Sequence, residues 1–178
     1  MTQDILCHEG EILKIGVPKE PDNENRVAIV PSSMKKLAKA GFEVLIEKGA
    51  GVLANYNDSD YEAAGAILAD RETVMSCPNI IAINFPGVEG ISEGTNLVCV
   101  ADPFRNPENV KQCMKGNITL MSMDMIPRRL SRAQSMDVNS SQDNLSGYKA
   151  VLLGAANVPK GIPMMTTSAG TVRPAKVV

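Results

Sequence analysis

The chain has no tryptophan and a single histidine, His8, close to its start. One histidine excludes a multi-histidine metal centre and argues against a Ser-His-Asp triad. A basic excess is also missing. Eighteen Lys and Arg stand against 20 Asp and Glu, a formal net charge of −2. General nucleic-acid binders carry the opposite balance, so no nucleic-acid partner is expected. No run of 18 apolar residues occurs, so no transmembrane segment is expected. The start, MTQDILCHEGEILK, has neither a basic n-region nor an apolar h-region, and a secretory signal is not expected. The four cysteines, Cys7, Cys77, Cys99 and Cys113, show no CxxC spacing, which removes paired zinc ligation. Cys77 and Cys99 lie in apolar stretches, where a thiol packs as a small hydrophobe, and all four are expected to be reduced.

What is present is an ordinary globular composition: 178 residues, 44% hydrophobic and 21% charged, enough for one domain or one lobe of a larger protein. Residues 1–11 read as a ragged lead. After it, apolar runs bounded by turn residues alternate with helical spacing. ILKIGV (12–17), EVLIE (43–47), the short run 66–68, NIIAINF (79–85), NLVCV (96–100) and ITLMSM (118–123) predict strands. Met34, Leu37, Ala38 and Phe42 predict a helix closed by Gly41. A short helix over 61–65, capped from Asp58, Ser59 or Asp60, a helix over 70–76 and one opened by Pro107 follow. The fold class this implies is α/β: three layers, with a mostly parallel sheet flanked by helices. Residues 142–156 are helix-compatible, with Leu145, Tyr148, Val151 and Leu152 recurring at three and four. Residues 161–170 read as loop or hairpin, and 172–178 as the start of a strand.

Three motifs compete for a function. Gly49, Gly51 and Ala54 fit G-x-G-x-x-A after a strand, with Asp70 about 20 residues on, the pattern of a dinucleotide-binding turn. That pattern needs a helix opening at the second glycine to present its amides to pyrophosphate. Here the chain runs into NYNDSD, which is turn composition, so a plain glycine turn is the expected structure. Arg26 lies in a polar loop, and a surface ion pair with Glu20 or Glu24 is its expected state. The third is the polar stretch carrying Arg128, Arg129, Arg132, Gln134, Asp137, Ser140, Ser141 and Gln142. Loops after parallel strands are where α/β folds bind ligands. Arginine can clamp a carboxamide or phosphate, glutamine can reach amides and hydroxyls, and aspartate accepts from hydroxyls. An equally open reading is a solvated loop in which Ser140 or Ser141 caps the following helix.

The block KIGVPKEPDNENRVAIVPSSMKKLAKAGFEVLIEKGAG resembles the opening of the alanine dehydrogenase and nicotinamide nucleotide transhydrogenase superfamily. SMDMIPRRLSRAQSMDVNSSQDNLSGYKAVL and PMMTTSAGTVRPAKV resemble the transhydrogenase branch. The likeness runs from about Lys14 to the end, with the blocks in order. Alanine dehydrogenases hold pyruvate with an Arg, a Lys and a His. Arg26 matches the first, the Lys position falls on Ala82, and the His position falls in 100–103, which has no histidine. A site without those two groups cannot polarise and protonate a keto acid in that way.

The resemblance implies the N-terminal lobe of the NAD(H)-binding component of a proton-translocating transhydrogenase. This would be a Rossmann-like lobe over 12–171 without its own glycine fingerprint, followed over 172–178 by the first strand of a dinucleotide-binding lobe. It implies hydride transfer between NADH and NADP⁺ held on separate components, chemistry that belongs to the cofactors. It places Gln134, Asp137 and Ser140 beside the nicotinamide of NAD(H), with Arg128 or Arg129 on the carboxamide. One extra residue here leaves the arginine open between the two, and Asn139 stands where a leucine is usual. The implied partners are an NADP(H)-binding component, a membrane proton-channel component and a second copy in a homodimer. The implied location is peripheral, on the bacterial cytoplasmic face or on a mitochondrial or other organellar membrane. The lobe by itself is expected to be inactive and to bind NAD(H) weakly or not at all. The alternatives are a non-catalytic oligomerisation or interaction module and an alanine-dehydrogenase-like oxidoreductase.

Overall fold

A computed structural model describes residues 13–176; the lead, Cys7, His8 and the last two residues lie outside the described residues. The chain divides into two compact units, residues 1–126 and 127–178. The boundary falls inside the stretch 12–171 that the sequence reading treats as one lobe.

In the first unit, six strands form one parallel sheet. They are β1 (Leu13–Val17), β2 (Phe42–Glu47), β3 (Ile67–Ala69), β4 (Asn79–Asn84), β5 (Asn96–Val100) and β6 (Thr119–Ser122), in the order β3-β2-β1-β4-β5-β6. That is the order of a doubly wound nucleotide-binding sheet, and the direction of winding reverses between β1 and β4. The α/β expectation therefore holds. Alternation along β1 and β2 explains the layers. Ile15, Val17, Val44 and Ile46 enter a core with Met34 of α1 (Met34–Lys39) and Tyr61 of α2 (Asp58–Ala63). Leu45 points to the other face and meets Val74 of α3 (Arg71–Met75). A second core packs Ile80, Ala82, Leu97 and Cys99 against Cys113 of α4 (Pro107–Lys115).

Gly16 shows how close α3 lies to β1. A Cβ there would stand 2.2 Å from the carbonyl oxygen of Val74, so the central strand has no room for a side chain on that face. Tyr61 is wholly buried, and its hydroxyl donates to the Ile29 carbonyl at 2.9 Å. Burial raises that phenol to about 12. The cysteines Cys77, Cys99 and Cys113 are buried free thiols, and burial pushes Cys99 to about 12.

Several boundaries differ from the sequence reading. Phe42 opens β2 rather than closing the preceding helix. The helix expected over 61–65 starts at Asp58, and its cap is Asn57. Asn57 and Asp60 form a reciprocal capping box, which satisfies two amides that a cap further along would leave open.

The second unit holds α5 (Val138–Asn157) and an antiparallel hairpin of β7 (Met165–Thr167) and β8 (Gly170–Val172). The helix begins four residues before the expected 142 because Asp137, not Ser140 or Ser141, caps it. Of the strand expected over 172–178, Val172 lies in β8, 173–176 lie outside strands and the last two residues are not described. The residues that gave α5 its helical spacing, Leu145, Tyr148, Val151 and Leu152, are exposed.

Candidate functional site

In the first unit, a cavity of about 260 Å³ lies at the carboxyl ends of the strands around the winding reversal, lined by Pro18, Lys19, Glu20, Glu47, Arg71 and Phe85 among others. Doubly wound sheets bind ligands at this place. Its carboxylates are already committed. Glu20 is buried and accepts from the Ile83 and Asn84 amides at 2.6 and 3.1 Å and from the Asn84 side chain at 3.1 Å. Glu47 ends β2, where nucleotide-binding lobes place the acid that grips a ribose. Here it accepts from the Lys19 amide at 2.7 Å and from Arg71 at 3.1 Å. The loop after β1 reads PKEP rather than a glycine turn. Sequence reasoning missed this crevice because its lining comes from four separate segments, with no local signal beyond the proline-bounded loop.

The glycine motif resolves as the plain turn expected. Residues 52–54 form one 3-10 turn ended by Asn55, not a helix. A Cβ on Gly51 would lie 2.6 Å from the Tyr61 ring, so this glycine is there for packing. Asp70 caps α3 by accepting from the Thr73 amide at 2.8 Å. Arg26 is ion-paired with Glu24: its Nε and Nη2 reach the two carboxylate oxygens at 2.8 and 2.6 Å. Ala82 is a buried residue of β4 and offers no polar group.

In the second unit, the polar stretch is organised around the start of α5. The Asp137 carboxylate accepts from the Ser140 amide at 3.0 Å and from the Ser140 hydroxyl, bonds that hold its acidity below the usual aspartate range. Ser141 donates to the Asp137 carbonyl at 3.1 Å. Arg128 comes to the same place, its Nε 3.9 Å from Asp137 and its Nη1 3.8 Å from Asp143. Arg129 and Arg132 have no carboxylate within ion-pair distance among the described residues. Of the two arginines left open by spacing, Arg128 is thus the one beside Asp137. Gln134 begins an exposed 3-10 turn immediately before Asp137. Arg128, Gln134, Asp137 and Ser140 therefore all stand within one short stretch at the start of one helix. Asp143 is the member that the sequence reading omitted.

A doubly wound lobe with its glycine loop replaced by packing, followed by a capped helix carrying an arginine–carboxylate cluster, defines the class: a nucleotide-enzyme lobe of nicotinamide dehydrogenase type. The chain belongs to the alanine dehydrogenase/PNT family, whose N-terminal domain profile matches residues 16–146. It is 43% identical over 176 residues to an NAD(P) transhydrogenase subunit alpha protein of Rhodospirillum rubrum, covering 93% of this chain and 46% of that protein. It resembles the crystal structure of transhydrogenase from Sinorhizobium meliloti with a TM-score of 0.84 at 37% identity, covering 91% of this chain and 50% of that one. An L-alanine dehydrogenase structure gives a TM-score of 0.63 at 28% identity over 68% of this chain and 34% of that one. The chain spans about half the length, or less, of these relatives.

Proposed function

We propose that this chain is the N-terminal lobe of the NAD(H)-binding component of a proton-translocating transhydrogenase, and that residues 128–140 position the nicotinamide of NAD(H). Bound NAD(H) would supply the hydride, passed to or from NADP(H) on a separate component. The protein's role is orientation. Arg128, whose donors are not drawn into close hydrogen bonds by its two carboxylates, would donate to the carboxamide oxygen. Gln134 would hydrogen-bond a ribose hydroxyl through its exposed amide. Asp137, engaged through both oxygens with Ser140, would fix the serine and the arginine. The domain assignment follows: lobe over 12–171, with 172–178 leading into a dinucleotide-binding lobe. The partners are an NADP(H)-binding component, a membrane proton-channel component and a second copy of this component. Among the described residues no helix is long and apolar enough to cross a membrane, which accords with a peripheral component held by such partners.

The observation that carries the reading is the convergence of Arg128, Asp137 and Ser140 at the start of α5, in a chain 43% identical to a transhydrogenase alpha subunit. The test is Arg128→Ala and Gln134→Ala in the full-length protein. Losing a charge-assisted hydrogen bond should weaken NADH binding by about tenfold or more in the first variant. Transhydrogenation should fall in both. Wild-type binding and turnover in both variants would refute the assignment.

A further inference from the structure

Two arginines of this chain are held in opposite ways. Arg26 places two nitrogens on Glu24 at 2.8 and 2.6 Å, so its fork is spent. Arg128 meets two carboxylates through two nitrogens, at 3.9 Å from Asp137 and 3.8 Å from Asp143. Both separations exceed hydrogen-bond length. The carboxylates therefore hold the guanidinium by charge and leave its N–H groups free to donate. One anion would let the guanidinium swing around it. Two, at the cap and in the second turn of α5, also fix its direction.

We propose that Asp143 is a positioning residue which, with Asp137, aims Arg128 at a neutral acceptor and makes the site select a carboxamide over a carboxylate. This rests on the nicotinamide-site reading above. The charge count gives the selectivity. One guanidinium between two carboxylates leaves the cluster net negative, so an anionic acceptor is repelled by the groups that orient the donor. A neutral amide oxygen takes the same N–H groups without that cost. Asp143 can be tested separately from Asp137. Asp137 is tied into the helix cap, whereas Asp143 is 73% exposed and pairs with Arg128.

The experiment compares NAD⁺ with its nicotinic-acid analogue, in which a carboxylate replaces the carboxamide, by titration of the full-length protein. Asp143→Asn should weaken NAD⁺ binding by about two- to fivefold, the scale of one exposed ion pair. It should weaken the analogue less, or tighten it, so that the ratio of the two narrows. Asp143→Glu should restore most of the ratio. In an Arg128→Ala background Asp143→Asn should no longer change NAD⁺ binding. An unchanged ratio, or an effect that persists without Arg128, overturns the inference while leaving the site assignment standing. If Arg128→Ala itself binds NAD⁺ as wild type does, the assignment falls, and this inference falls with it.

Discussion

Glu24 shows how much of this protein's charge is spent on holding loops. Its carboxyl sits at about 2 rather than 4.5, first because Arg26 donates to it through its side chain. A carboxyl with a depressed pKa stabilises the fold fully above its ordinary value, and that contribution is lost as pH falls toward the folded value. The stability gap between wild type and Glu24→Gln should therefore be constant at neutral pH and close between about pH 4.5 and 2. Arg26 is half exposed, so the gap should be modest. Urea unfolding across that range checks it, and a gap that persists unchanged at the acid end would contradict the linkage. The ion pair was legible in the sequence because its members are two residues apart. Arg128 was not. Spacing left Arg128 and Arg129 equivalent, and only the fold of the turn before α5 brings one of them to Asp137.

Among the elements, strands were the easiest to read, because a parallel sheet buried on both faces writes itself as continuous apolar runs. Helix starts were harder. A stretch such as NDSD or DVNSS offers several side chains able to cap, and which one does depends on the entry angle of the chain. Asp137 is the cap that matters here. Asp137→Ala should cost about 0.5–2 kcal/mol of helix stability, and Ser140→Ala less, since the Ser140 amide is the capped donor. Amide exchange at the first turn of α5 measures this, and equal protection in both variants would reject the cap. The close approach of α3 to β1 makes a sharper prediction. Gly16→Ala drives a methyl into the Val74 carbonyl and should destabilise the first unit by about 3 kcal/mol or more, because backbone cannot yield as a side chain can. Denaturant midpoints decide it; near-wild-type stability would mean that α3 can lift away.

At the scale of the whole molecule, the sequence made the layer order reachable but not the crevice. Glu20, Glu47, Arg71 and Phe85 meet only because the sheet reverses its winding between β1 and β4. With those carboxylates committed and PKEP in place of a glycine loop after β1, the described residues offer no pyrophosphate cradle at the place where the fold would put one. NADH titrated against this chain alone should therefore show no binding in the micromolar range or tighter, whereas the full-length protein should bind. Micromolar affinity of the isolated chain would contradict this. The same strand order sets a schedule for synthesis. β1 can gain its first neighbour once β2 has left the ribosome, but its other edge waits for β4, roughly thirty residues later. Through that interval the strand that will lie at the centre of the sheet is an open edge, able to pair with any extended chain nearby. The interval closes when Ile83 and Asn84 arrive and Glu20 takes their amides. A loop carboxylate is thus positioned to mark the point at which the nascent lobe stops being vulnerable.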